Sequence, residues 1–182
     1  MPTPSSIIVI AGLPGAGKST VAARLASLWP HAAHIEADQL QRMIVSGGRW
    51  PTSDAALDGE ATRQLALRLR SACMLARAFS DAGFTAIVDD ICIGPRLQAL
   101  RTELGRPFCF VMLHPRLDVL AARNAARASA GVKRDAFAQA RALFDVVERE
   151  TERIGLWLDT SALDADATAH AIHARLGEAA VA

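Results

Sequence analysis

Tyrosine is missing from the chain altogether, and phenylalanine and tryptophan bring the aromatic share to only 5% of 182 residues. With alanine and arginine abundant, this is a matter of composition and excludes no function. Cysteine is scarce: Cys73, Cys92 and Cys109 are widely spaced, with no CxxC pair. That argues against a disulfide framework and makes free thiols in a reducing cytoplasm the expectation. Neither sign of charge dominates. The formal net charge is +1 with basic and acidic residues interspersed, so there is no electrostatic footprint for nucleic acid or an anionic membrane. No apolar run approaches the ~18 residues of a membrane span. The apolar stretch near the start has no basic flank and is too short for a signal peptide, so a cytoplasmic protein is expected. An N-K-x-D guanine motif, internal repeats, low-complexity tracts and linkers are absent as well.

What the chain does have is core material. Hydrophobic residues make up 51% and charged residues 21%. That is a globular composition, long enough for one well-filled core and short for two, so one domain over 1–182 is expected. Short apolar runs alternate with longer helical patterns. Strands are expected at Ile7–Ala11, Ala33–Ala37, Phe84–Asp89, Pro107–Leu113 and Leu156–Asp159. Helices are expected at Lys18–Trp29, Asp38–Val45, Ala55–Asp81, after Gly94-Pro95 to about Leu104, and at Leu117–Ala128, Arg134–Ile154 and Ala165–Leu176. In the longest of these, Leu65, Leu69, Cys73, Ala76 and Phe79 recur at helical steps, which puts Cys73 in the core. Nearly all-apolar strands separated by helices imply a parallel sheet covered on both faces. Right-handed crossovers make it a three-layer, doubly wound α/β domain of five strands. Ligands of such sheets sit beyond the carboxyl ends of the strands.

The first strand runs into Gly12-Leu13-Pro14-Gly15-Ala16-Gly17-Lys18-Ser19, which fits G-x-x-x-x-G-K-[ST]. Glycines let a chain wrap tightly around an anion, and the loop amides and the following helix's positive end then face it. Lys18 supplies a cation for the β- and γ-phosphates of ATP, and the Ser19 hydroxyl is placed to ligate Mg²⁺. The nucleotide-binding set is Gly12, Pro14, Gly15, Ala16, Gly17, Lys18, Ser19 and Thr20, with Arg123.

Two carboxylate positions complete the chemistry. Asp89-Asp90 closes the third strand (TAIVDD), and adjacent residues of an extended chain point to opposite sides. One of them is a candidate for Mg²⁺, Asp89 being favoured because it directly follows the apolar run. Asp38 ends the second strand (HIEAD) and is either the general base for an attacking hydroxyl or an N-cap of the helix at 38–45. Glu36 falls on the opposite face and is the weaker candidate. Arg123 and Arg127 are four residues apart on one helical face. They either clamp phosphates and stabilise charge on the transferred group or form a solvated face. With Arg134 they flank a break at Ser129–Lys133, which suggests a lid over about 123–134. The segment 46–54, with Arg49 and Trp50, is either an acceptor-binding loop or a plain surface loop. His114 reads as structural, and Asp159-Thr160-Ser161 as either an adenine neighbour or a turn.

Together GLPGAGKST, HIEADQL, IVDD, RNAAR and LDTSALDADAT resemble the shikimate, gluconate and nucleoside-monophosphate kinase group of P-loop proteins. Within it the chain is most similar to chloramphenicol phosphotransferase-like and gluconate-kinase-like bacterial proteins. The resemblance implies a parallel sheet of order 2-3-1-4-5, a lid after the fourth strand, and ATP with Mg²⁺. It also implies γ-phosphoryl transfer to a hydroxyl of a small molecule: an antibiotic, a sugar acid or a nucleoside-like compound. Carried over by position, Asp38 is the base and Arg123 or Arg127 the lid arginine. No sugar-acid or shikimate-binding arginine set stands out. The alternatives are a nucleic-acid end kinase, against which the balanced charge argues, and an NTP-hydrolysing switch, against which the missing guanine motif argues.

Overall fold

β1 (Ile7–Gly12) takes the centre of the sheet, and all of its residues, IIVIAG, are buried. A β-branched run without polar alternation suits a strand covered on both faces. β1 pairs in parallel with β3 (Thr85–Asp89) on one side and β4 (Phe108–Leu113) on the other. β2 (Ala32–Glu36) adds outside β3 and β5 (Leu156–Leu158) outside β4, giving the order β2-β3-β1-β4-β5. This is the five-stranded parallel α/β sheet expected from the sequence. The computed structural model describes residues 6–50, 59–129 and 136–182.

A sixth strand was not foreseen. β6 (Ala180–Val181) runs antiparallel to β4 beside Phe108 and Cys109, while β5 reaches only Val111–Leu113. Two strands thus share one edge of β4. A two-residue strand carries no period that a sequence reading detects.

The helices are α1 (Lys18–Ala26), α2 (Ala37–Arg42), α3 (Gly59–Asp81), α4 (Pro95–Leu104), α5 (Leu117–Ser129), α6 (Ala136–Glu150) and α7 (Ala165–Ala174). α7 stops two residues short of the expected Leu176. There the chain tightens into a 3₁₀ turn, Leu176–Ala179, which leads into β6. Phe110, Ile8, Ile87, Leu25, Leu100 and Leu120 are among the fully buried side chains. Each contributes about 1.5–3 kcal/mol of burial. Cys73 and Cys92 are free and buried in the same core, and burial pushes the Cys73 thiol up to about 12. Among the described residues, no helix is long and apolar enough to cross a membrane.

Candidate active site

The parallel registers bring the carboxyl ends of β1, β2 and β3 to one level: Ile10 and Glu36 both lie opposite Asp89. The chain leaves β1 through a loop held by its own backbone, with the Ala16 amide donating to the Leu13 carbonyl at 3.0 Å. Gly17 caps α1 at φ +91° without any side-chain cap, which leaves the amides of the first turn facing the cleft. Gly15, at φ +89°, has no room for a side chain: a Cβ there would lie 2.5 Å from the Asn124 amide nitrogen. Lys18 folds back across the loop, and its Nζ donates to the Leu13 carbonyl at 3.2 Å. Ser19 begins α1 beside it.

Asn124, on α5, has no counterpart among the residues expected from sequence. It is buried, and its Nδ2 donates to the carbonyls of Pro14 (3.1 Å) and Leu120 (3.0 Å). It therefore ties the crest of the phosphate loop to the helix that carries Arg123. A polar residue one turn beyond buried Leu120 was the available signal.

Asp89 and Asp90 point apart, as strand alternation requires. Asp89 turns to the phosphate side: its Oδ1 accepts from the Ser19 hydroxyl at 3.0 Å and its Oδ2 meets His34 Nε2 at 2.5 Å. Neighbouring oxygens around a six-coordinate Mg²⁺ are about 3 Å apart, so the Ser19–Asp89 pair fits two adjacent ligand positions of that ion. A hydroxyl and a carboxylate are the hard oxygen donors Mg²⁺ takes alongside phosphate. Asp90 turns the other way. It is buried, with Oδ1 accepting from Arg68 Nη2 (2.6 Å) and the Ile91 amide (2.8 Å) and Oδ2 from Arg96 Nη2 (2.8 Å).

The N-cap reading of Asp38 is corrected by the structure. α2 begins one residue earlier, and Glu36, extended at φ −82°, ψ 111°, occupies the N-cap position without a side-chain cap. Asp38 sits in the first turn with its carboxylate turned to α3, where Oδ1 accepts from Arg68 Nη1 at 3.1 Å. A guanidinium thirty residues away has taken the place of the local backbone amides. The carboxylate is 52% exposed and faces the cleft. Lost hydration raises its pKa above the ordinary value, outweighing the attraction of Arg68, and the nearby Asp90 adds to the rise.

Arg68, with a side chain only 5% exposed, thus bridges Asp38 and Asp90. Sequence reasoning passed over it. The signal was a polar pair, Gln64 and Arg68, set into the apolar face formed by Leu65, Leu69 and Ala72. Gln64 has its own task. With Gln41, also buried, it holds the backbone on either side of Trp50's neighbour Arg49. Gln64 accepts from the Arg49 amide (2.7 Å) and donates to the Gly47 carbonyl (2.8 Å), and Gln41 donates to the Arg49 carbonyl (3.1 Å). This fixes the start of the 46–54 loop and brings the Trp50 indole to the rim of the cleft; positions 51–54 lie outside the described residues.

The resulting cleft, about 200 Å³, is walled by the phosphate loop with Lys18 and Ser19 on one side and by Asp38, Trp50 and Arg68 on the other. A second cavity, about 370 Å³, opens behind the loop between Thr20, Arg123 and Thr160. Arg123 faces this cavity, and its Nη2 donates to the carbonyls of Thr160 (2.9 Å) and Leu163 (3.4 Å). Asp159 closes a turn by accepting from the Ser161 amide at 2.8 Å, so the segment 159–161 is a turn that also lines a cavity. His114 pairs with Glu148 at 2.8 Å and stacks on Phe144, away from the cleft. Arg127 lies in α5 with its side chain outside the described set, and Arg134, with positions 130–135 of the expected lid, lies outside the described residues.

A protein-family model described as AAA domain matches residues 7–148. No curated protein matches the chain in sequence. Among solved structures, the tunicamycin resistance protein of Deinococcus radiodurans superposes with a TM-score of 0.67 at 19% identity, covering 98% of this chain and 99% of that one. A gluconokinase from Sinorhizobium meliloti 1021 superposes with a TM-score of 0.64 at 22% identity, covering 97% and 95%. The Mycobacterium tuberculosis APS kinase, solved with AMPPNP and APS, gives 0.64 at 19% identity, covering 97% and 99%. At these identities the likeness is one of fold: the chain shares the fold of the small P-loop kinases over 97–98% of its length.

Proposed function

Because the chain belongs to the AAA-domain family, we propose that it is an ATP-dependent phosphotransferase that moves the γ-phosphoryl group to a hydroxyl of a small molecule. One observation carries this reading. A single cleft joins a phosphate-binding loop to a half-exposed carboxylate, Asp38, on the opposite wall. Kinase names among the structural relatives support it, including one solved with AMPPNP.

In this reading the loop amides and Lys18 hold the β- and γ-phosphates, and Ser19 and Asp89 hold Mg²⁺. The ion supplies charge neutralisation on the phosphate oxygens. His34 keeps one Asp89 oxygen engaged, leaving the other turned toward Ser19. Arg68 holds Asp38 Oδ1, which leaves Oδ2 as the oxygen to take the acceptor's proton. As the acceptor oxygen bonds to the γ-phosphorus, the bond to the β–γ bridging oxygen breaks, ADP leaves, and the hydroxyl proton passes to Asp38. The raised pKa of Asp38 favours that transfer. Arg123 contacts the nucleotide from the second cavity, and Arg127 acts from the lid at 123–134. Residues 46–54 form the acceptor-side loop. Catalysis rests on positioning and on pre-arranged charge.

The test is ATP consumption measured against a panel of antibiotics, sugars, sugar acids, nucleosides and nucleoside monophosphates. Stimulation by at least one hydroxyl compound, lost in Asp38→Asn, is expected. Turnover that no acceptor stimulates sinks the proposal.

A further inference from the structure

A phosphate-binding loop works only if its amides, not its carbonyls, face the anion. At the crest of this loop the deciding unit is the peptide that joins Pro14 to Gly15. A trans peptide points its carbonyl and its N–H in opposite directions, so whatever holds the Pro14 oxygen also aims the Gly15 amide. Gly15 does not fix that unit by itself. It stands at φ +89°, and a glycine is as much at ease at the opposite sign, so the turned-over peptide is open to it.

The hold comes from outside the loop. Asn124 Nδ2 donates to the Pro14 carbonyl at 3.1 Å, across 110 positions of sequence, and draws it toward α5. The same amino group donates to the Leu120 carbonyl at 3.0 Å. Two carbonyls thus take its two protons, and the carboxamide has one orientation, since turned over its oxygen would face two oxygens. It lies directly against the glycine: a Cβ at Gly15 would meet Asn124 atoms at 2.5, 2.8 and 2.9 Å.

Stability alone does not account for asparagine here. It is a poor helix former away from a cap, and position 124 is inside α5. The side chain is buried, and among the described residues its Oδ1 has no hydrogen-bond partner, which is a cost to the fold. Leucine has nearly the same shape and would avoid that cost. The Leu120 carbonyl would keep the helix's own amide from position 124. What leucine could not do is hold the Pro14 carbonyl.

Building on the reading of Gly12 to Ser19 as the loop that holds the nucleotide's phosphates, we propose that Asn124 is a positioning residue for phosphate binding. It fixes the Pro14–Gly15 peptide with the Gly15 amide directed to the phosphates before the nucleotide arrives. Asn124 itself touches no phosphate. Affinity for a polyphosphate then depends on a side chain of α5, outside the loop motif, because the loop is set in its binding shape in advance.

The experiment is calorimetric binding with Mg²⁺ of two probes, AMPPNP and inorganic tripolyphosphate, to the full chain and to Asn124→Leu and Asn124→Ala, with a melting curve for each protein. Asn124→Leu keeps the shape and removes the donor, whereas Asn124→Ala removes both. Asn124→Leu is expected to weaken both probes about tenfold, with a melting temperature equal to or above that of the wild type. Asn124→Ala should weaken both probes at least as much. Unchanged affinity in Asn124→Leu overturns the proposal, including the case in which Asn124→Ala alone loses affinity, which would leave packing as the residue's role. A loss confined to AMPPNP overturns it too, by placing the effect at the base and not at the phosphates. So does a fall in both affinity and melting temperature in Asn124→Leu, which would make the role a structural one. A wild type that does not bind tripolyphosphate overturns the phosphate-loop reading together with this one. Binding in the expected pattern without transfer to any acceptor counts against the phosphotransferase reading and leaves the role of Asn124 standing.

Discussion

The phosphate side of the cleft is assembled from neighbours in sequence, Gly12 to Ser19, whereas the acceptor side draws on four places. Asp38 comes from α2, Trp50 from the loop after it, Arg68 from α3 and Asp90 from the end of β3. On the first side, backbone geometry does the binding and glycines do the shaping. On the second, a chain of side chains, Asp38–Arg68–Asp90–Arg96, sets the geometry, and two glutamines hold the loop. The lesson is that a short stretch can specify anion binding, while the choice of acceptor is a tertiary property. Perturbations on the two sides should therefore fail in different ways.

The largest effect is expected on the phosphate side. Lys18→Ala should lower acceptor-stimulated ATP turnover by about 10³-fold with the thermal melt unchanged. Steady-state kinetics and a melting curve check both halves of that statement. Asp38→Asn should lower transfer by about 10²–10³-fold while leaving nucleotide affinity intact, as equilibrium binding of an ATP analogue would report. Equal loss of affinity would erase the distinction between the two sides. Gln64→Leu should be smaller and one-sided. It removes the loop's anchor, so the acceptor KM should rise about tenfold with the ATP KM unmoved, at a stability cost of about 1–3 kcal/mol.

The smallest effect is in the pH dependence. Asp38 has a raised pKa in the fold, so the folded state holds its proton more firmly than the unfolded chain. Its contribution to stability is complete below the ordinary aspartate value and is lost as pH rises through the raised folded value. In the proposed mechanism catalysis runs the other way, because Asp38 would act as a base only when ionised. The acid limb of the kcat/KM profile should therefore lie above the ordinary carboxylate value of 3.8. In Asp38→Asn that limb should vanish, and the melting temperature should fall less between acid and neutral pH than in the wild type.

How much was legible follows the same division. The strands β1, β3 and β4 were readable as nearly unbroken apolar runs, whereas β2, which carries His34 and Glu36, and β5, only three residues long, gave weaker signals. The loop was readable because glycine spacing reports backbone conformation directly. Asp38 was found as a carboxylate but its local role was misread, since helix capping is a local rule and Arg68 overrides it from thirty residues away. Arg68, Gln64 and Asn124 were missed because each is a polar residue whose partners are distant in the chain. The clue in each case was a polar side chain on an otherwise apolar helix face.

The way Gln41 and Gln64 grip the loop has a consequence for how such a protein diversifies. They hold the Gly47 carbonyl, the Arg49 amide and the Arg49 carbonyl. All three are main-chain atoms, the same whatever side chain stands there. Selection can therefore exchange the residue at position 50 without loosening the loop that presents it. On the proposed reading of the cleft, acceptors could then be sampled one substitution at a time, on a support that depends on two glutamines elsewhere.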